Sequence, residues 1–354
     1  MKRTSVLEIS ESAFKHNINE IKKLTNKEIM PIIKASGYGT YINRNIELIK
    51  DFNIVGVALI SEAIELRELG FKNEIFTLYE PYLEDINNIT KYNITVGVSD
   101  INFIKELSKL NHQVNIHLEI ETGMGRTGIF IDKLNDVIDA IKESNNINVE
   151  GVYTHLSAAD TDEEFTKKQI EIFRNAVDIL KGHFNLKYIH CEASPGIRYN
   201  TDFCNLIRPG LAIYGYKCDE YFDADLMPVA KLKTKICFLK EVPSGTSIGY
   251  GRTYITDKTT KVATVNIGYA DGVKRGLSNK GYVVINGKKA PIIGRICMDS
   301  FMIDVTNIDC KVNDEVYIWD NELITLDDIA EELGTISYEI ISSITDRVER
   351  VFVI

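Results

Sequence analysis

Four stretches of this 354-residue chain carry residue types at spacings that could do chemistry. The first is IIKASGYG, residues 32–39, where an apolar run ends in Lys34 and opens into a Gly-flanked Tyr38. That is the pattern of a buried strand running out into a loop. Hydrocarbon beneath a lysine disfavours its ammonium form and leaves a usable amine, the setting of a Schiff-base lysine. From a free value near ~10.4, neutrality at pH 7 requires a shift of about 3 units, or ~4 kcal/mol. The plainer reading of Lys34 alone is a strand-end lysine with its head in water.

The second stretch is GMGRTG, residues 123–128, preceded by Glu119 and Glu121. It matches GxGxxG between a strand and a helix, so a dinucleotide site is one reading. Against it, the match falls in the fifth strand–helix unit rather than the first. The other reading makes it a strand-end loop in which Arg126 offers a planar fork to a carboxylate. The third group is Ser194 with Arg208-Pro209-Gly210, at the ends of the seventh and eighth apolar runs. Freed backbone N–H groups and a hydroxyl there suit an anion, and barrels often bind phosphate after strands seven and eight. The fourth comprises His155 and Asp160 in THLSAAD, and Tyr269 and Asp271 in VNIGYADG. A lone histidine or a turn tyrosine is more often structural than catalytic.

Such residues need a scaffold, and the chain has one in its rhythm. Apolar runs recur at 29–35, 54–60, 74–79, 94–99, 114–120, 149–156, 188–193 and 206–214. Helical patterns such as SEAIELRELG, DINFIKELSKL, KLNDVIDAIKES and EEFTKKQIEIFRNAVDILKG lie between most of them. Eight runs alternating with helices predict a (β/α)8 TIM barrel over 11–225, with an open doubly wound sheet as the runner-up. Beyond, short β-rich runs predict a mostly β domain over 226–354, with Asn286-Gly287 as a hairpin turn. Only TLDDIAEELG, 325–334, reads as helical there. Strand 1–10 stands outside the barrel rhythm and is expected to join the β domain.

Composition narrows the function classes. A net charge of −10 argues against a duplex nucleic-acid partner. No apolar run reaches the ~20 residues of a membrane span, and the N-terminus has no signal-peptide core, so a cytoplasmic location is expected. Cys191, Cys204, Cys218, Cys237, Cys297 and Cys310 form no CxxC pair, and the histidines show no ligand spacing. No metal site or disulfide framework is expected.

The stretches IIKASGYG, HLEIETGMGRTGI, THLSAAD, IRPGLAIYG, VNIGYADG, GRICMDSFMIDV and YEIISSITDRV, in this order, resemble the alanine racemase family. The resemblance implies a barrel holding pyridoxal 5'-phosphate (PLP), a β domain, and a head-to-tail homodimer whose sites are completed by the partner's β domain. It implies that Lys34 binds PLP covalently and serves as base on one face of the substrate. Tyr269, from the other subunit, would be the base on the opposite face. Tyr38, Ser194, Gly210 and Leu211 match phosphate-binding positions, and Arg208 matches the arginine on the pyridine nitrogen. His155 matches a histidine of the tyrosine–arginine network. Arg126 and Met298, the latter also across the interface, match positions that meet the substrate carboxylate, and Asp160 an acidic residue of the access channel. The implied reaction is two-base racemisation of a small amino acid, L-alanine to D-alanine, supplying cell-wall peptidoglycan. Two bases on opposite sides are the minimum for inverting one carbon, whatever the family.

The chain departs from the family in places. Where many members carry a carbamylated lysine, it has Glu119, already an anion, which is expected to orient Arg126 unmodified. Asp346 stands where a tyrosine of the substrate pocket is usual, which opens a serine racemase or a broad-specificity racemase as alternatives. A PLP-dependent decarboxylase of the same fold is the more distant reading. Ser36 and Thr40 replace an Asn and a His, with no physical account.

Overall fold

The computed structural model describes residues 4–217 and 221–354, so Cys218 lies outside the described residues. Contacts divide the chain into two units. One comprises Phe14–Gly37 and Tyr41–Met227. The other comprises the N-terminal residues through Ala13, the short segment Tyr38–Thr40, and Pro228–Ile354.

The first unit is a parallel barrel. Its strands are β1 (Glu28–Ile29), β2 (Ile54–Val57), β3 (Glu74–Thr77), β4 (Thr95–Val98), β5 (Val114–Glu119), β6 (Ile147–Tyr153), β7 (Tyr188–His190) and β8 (Leu206–Ile207). Strands β2 to β7 pair in sequence order, and β1 pairs with β8, all parallel. Two single bridges close the ring: Ile32, beyond β1, with Gly56, and Ala193, beyond β7, with Arg208, beyond β8. Each of the eight apolar runs thus supplies one stave. β2 and β4 are buried along their whole length, as staves with a filled interior on one face and helices on the other must be. One register shift interrupts β5 against β6 after Ile116. There Gly151 lies so near the His117 ring that a Cβ would come within 2.7 Å of it, so only glycine fits.

Between the strands the helical patterns fold as helices. Glu163–Lys181 shows the signals: Asp162 caps it by accepting from the Phe165 N–H, and a stripe including Phe173, Val177 and Leu180 is buried. Among the described residues no helix is long and apolar enough to cross a membrane.

The second unit is built on antiparallel strands. Thr260–Val265, Phe301–Asp304, Lys288–Ile293, Tyr282–Ile285, Glu315–Trp319 and Ala230–Val242 pair in that order, and the last returns to the first, closing a six-stranded barrel. Val6–Ser10 pairs with Ala230–Val242, and Glu349–Val353 adds to it in parallel. Asn286 and Gly287, with φ of 49° and 72°, make the two-residue hairpin turn between Tyr282–Ile285 and Lys288–Ile293. One expectation needs correction. Besides Leu326–Leu333, this unit has a second helix, Ser337–Ser342. At six residues it is too short to show a period of its own, and burial of Ile340 and Ile341 holds it in place.

Candidate active site

Lys34 leaves the barrel wall through an unusual turn. Ala35, Ser36, Gly37, Tyr38 and Gly39 have φ of 52°, 53°, 60°, 56° and 79°, five successive residues in the left-handed region. The two glycines adopt it freely. Ala35, Ser36 and Tyr38 do so at a cost of ~1–2 kcal/mol each. At Gly39 a Cβ would also come within 2.6 Å of the Ile341 carbonyl oxygen. Such backbone persists only where its surroundings impose it. Glu62 is one such restraint: one carboxylate oxygen accepts from the Ala35 N–H at 2.6 Å, the other from Ala58 and Leu59 at 2.7 and 3.1 Å. Burial holds the Lys34 amine below the usual lysine range; the Arg126 charge adds to that, Glu62 opposes it, and Arg208 adds further.

Arg208 is 2% exposed and lies over the Tyr153 ring at 5.6 Å. One terminal nitrogen donates to His190 Nδ1 and to the His190 carbonyl, both at 2.8 Å; the other donates to the Thr154 carbonyl at 2.8 Å. A guanidinium only donates, so His190 Nδ1 accepts and its Nε2–H donates to His117 Nδ1 at 2.9 Å. His117 Nε2 then carries a proton with no partner among the described residues. Burial keeps both rings neutral, holding His117 down to about 3 and His190 well below the usual histidine value. The His190 ring stacks on Tyr153 at 5.2 Å.

Among the described residues no carboxylate pairs with Arg208. An unpaired buried cation is costly, so the site calls for an anion. Ser194 sharpens this. It is 2% exposed, and its Oγ accepts from Gly210 N–H at 3.0 Å and Ala212 N–H at 3.2 Å. Its own O–H has no acceptor among the described residues, and Leu211 lies between the two amides. Glu192, fully buried between β7 and Ser194, binds Lys27 at 2.8 Å and the Thr201 hydroxyl at 2.8 Å, which anchors this segment. His155 follows β6. Burial, then the charges of Arg208, Arg126 and Lys34, hold it down to about 3, so it is neutral. Asp160 is exposed on the same loop.

Arg126 lies over the Tyr79 ring at 5.0 Å. Glu119 Oε2 accepts from the Thr127 hydroxyl at 2.8 Å and from Tyr153 at 3.2 Å, and no hydrogen bond joins it to Arg126 among the described residues. Burial raises the Glu119 carboxyl above its usual range, with Thr127 and the Arg126 charge opposing. The direct support of Arg126 is therefore an aromatic face, and Glu119 acts on it only through charge and through its neighbour Thr127. Two amides of the glycine loop are occupied: Gly123 and Gly125 N–H both donate to the Glu121 carboxylate, the latter at 2.9 Å. An acid of the chain fills the place a pyrophosphate would take, which removes the dinucleotide reading.

The barrel unit thus gathers Lys34, Glu119, Arg126, His155, Ser194, Arg208, Gly210 and Leu211 on the ends or end-loops of its strands. Tyr38, Tyr269, Met298 and Asp346 belong to the β unit. Tyr38 lies against the Tyr338 ring at 6.0 Å. Tyr269 and Ala270 donate backbone N–H bonds to Cys297 and Met298 carbonyls, both at 3.0 Å, so Tyr269 and Met298 sit side by side. Both side chains face outward, 42% and 52% exposed. The turn is pinned by buried Asp271, which accepts from Gly268 N–H at 2.9 Å and pairs with Arg347 at 3.2 Å. Asp346 is exposed beside Arg347. Sequence reasoning passed over Glu62, Tyr79, Tyr153, His190 and Glu192. Only His190 and Glu192, polar residues inside the apolar run 188–193, carried a readable signal.

Fold and site together define a (β/α)8 enzyme with a buried lysine under the charges of two arginines, joined to a β-barrel unit. The family profiles described as alanine racemase, N-terminal domain, and alanine racemase, C-terminal domain, match residues 9–218 and 229–352. An alanine racemase of Aquifex aeolicus is 37% identical over 352 residues, 99% of each chain. One from Desulforamulus reducens is 36% identical over 371 aligned positions, covering all of both. The solved alanine racemase of Clostridium difficile 630 superposes with a TM-score of 0.92 at 31% identity, covering 100% of this chain and 96% of that one. The solved Bacillus anthracis alanine racemase with bound L-Ala-P gives 0.93 at 30%, with the same coverage. The chain belongs to the alanine racemase family, a family of isomerases.

Proposed function

We propose that this chain is a PLP-dependent racemase that interconverts L- and D-alanine, working as a homodimer in the cytoplasm and supplying D-alanine to peptidoglycan. The observation that carries the reading is the cation set of the barrel site: Arg126 and Arg208 both act on Lys34, Glu62 and Glu119 oppose them only in part, and among the described residues no carboxylate pairs with buried Arg208. A phosphate ester and an amino-acid carboxylate are anions of the number and kind that would balance it.

The donor set fits PLP. The unused Ser194 O–H and the Gly210 and Leu211 backbone would hold the phosphate. Arg208 would meet the ring nitrogen, and since its guanidinium keeps its proton, that nitrogen would stay unprotonated. When bound, PLP supplies an electron sink that acidifies the substrate Cα–H. The chain's residues do the rest. Lys34 Nζ, its ammonium disfavoured by burial, takes or returns a proton on one face of Cα. Tyr269 of a second copy serves the other face, which accounts for a tyrosine and Met298 turned outward. Arg126 receives the carboxylate, with Met298 beside it, and Glu119 steadies the arginine by charge. Neutral His155 relays hydrogen bonding between the phenol and Arg208. Asp346 borders the substrate side chain and Asp160 the access route.

Purified protein supplied with PLP is expected to convert L-alanine to a racemic mixture in a chiral assay. Conversion of L-serine but not L-alanine, or of neither, overturns the reading.

A further inference from the structure

Glu62 is not part of the set that would touch cofactor or substrate, yet its carboxylate ties together two structures that need tying. It is the third residue of the helix Ile60–Glu68, and its Oε2 caps that helix at the N–H groups of Ala58 and Leu59. Capping by a glutamate at this position ordinarily uses only such local amides. Here the second oxygen reaches across to the Ala35 N–H at 2.6 Å, the first left-handed residue after Lys34. Nothing in the local sequence favours alanine in that conformation.

We propose that Glu62 is a positioning residue of the active site: its carboxylate holds Ala35 in the left-handed turn, and so aims the Lys34 amine. A further observation agrees. The charged groups acting on Lys34 are Arg126, from the loop after β5, Arg208, after β8, and Glu62 itself, while His155, after β6, is neutral. Glu62 is the one acid in that set, and it moderates the fall in lysine basicity. The inference rests on the proposed racemase only for its kinetic arm.

The test uses full-length Glu62→Gln. A glutamine offers one acceptor where three amides need two, turns N–H toward N–H, and removes the charge. Three readouts are made. In the cofactor-free protein, competitive acylation across pH should show Lys34 titrating below its wild-type value. Hydrogen exchange of the segment 34–39 should quicken by ~10-fold or more relative to the barrel strands. With PLP bound, kcat should fall by ~10- to 100-fold with KM changed far less, as a misaimed group does. Glu62→Asp keeps the charge on a shorter arm. It should restore the Lys34 titration but not the slow exchange, and it serves alone if the glutamine variant fails to fold. If Glu62 is only a helix cap, Tm falls while Lys34 titration, segment exchange and kcat stay at wild type, and the proposal is overturned. Absence of racemisation in the wild type would sink the assigned reaction, yet the labelling and exchange arms would still decide the role of Glu62.

Discussion

The proposed proton carriers sit in opposite surroundings. Lys34 belongs to a barrel that prepares it in full: burial, two guanidinium groups and a carboxylate-held turn act on one amine. Tyr269 belongs to a β barrel that fixes its backbone through Cys297 and Asp271 but leaves the side chain 42% exposed. A phenol works as a base only where a cation or donor meets its oxygen. On the proposed reading the barrel unit carries the chemistry, and the β unit presents a tip that a second copy's site would complete.

The largest effect is expected in the barrel. Lys34→Ala should lower turnover by at least ~10⁴-fold and abolish covalent cofactor attachment, since nucleophile and base are lost together. A residual rate within tenfold of wild type, measured by chiral assay, would break the contrast at its stronger end.

Tyr269→Phe comes next, with a loss of ~10²- to 10⁴-fold, the range of one general acid–base group. The sharper experiment mixes the two inactive variants. If Tyr269 serves a second copy, a Lys34→Ala/Tyr269→Phe hybrid has one intact site, and mixing after dissociation should restore activity. If mixing restores nothing while hybrids form, Tyr269 does not act across chains.

The smallest effect concerns stability. All six histidines lie before residue 191, none in 226–354. His117 and His155 are held down to about 3 when folded. A depressed histidine pKa means that the unfolded chain binds more protons between about 6.5 and 3, so stability falls as pH drops through that window. By pH 5 each fully buried ring should cost ~2 kcal/mol. Thermal melts from pH 7.5 to 5 should show this loss, and His117→Gln should flatten the slope. Equal slopes in both proteins would show that the buried rings do not govern acid sensitivity.

Much of the site was legible because its parts sit at ends of strands, and strands announce themselves as apolar runs. Lys34, His155 and Arg208 lie within such runs just past their strands, Arg126 and Ser194 follow such runs, and the runs became β1, β5, β6, β7 and β8 of one barrel. What escaped was support from distant chain segments. Tyr79 under Arg126, Tyr153 between Glu119 and His190, and Glu62 beneath Ala35 are ordinary residues in a bend, a strand and a helix. Their partners lie 47, 34 and 27 positions away in the chain. The GMGRTG loop shows the converse: the pattern allowed two occupants, and only the folded Glu121 decided between them.

By itself the sequence determined the periodic alternation of apolar runs and helical stripes, the change of texture after the barrel, and the identity of the groups able to carry protons and charge. Those follow from local hydrophobic spacing and side-chain chemistry. Tertiary structure alone decided the left-handed course after Lys34, the neutral histidine chain behind Arg208 and, among the described residues, the lack of a carboxylate paired with it. Those depend on which groups burial brings together and which it leaves unpaired, and desolvation acts only once the chain has closed.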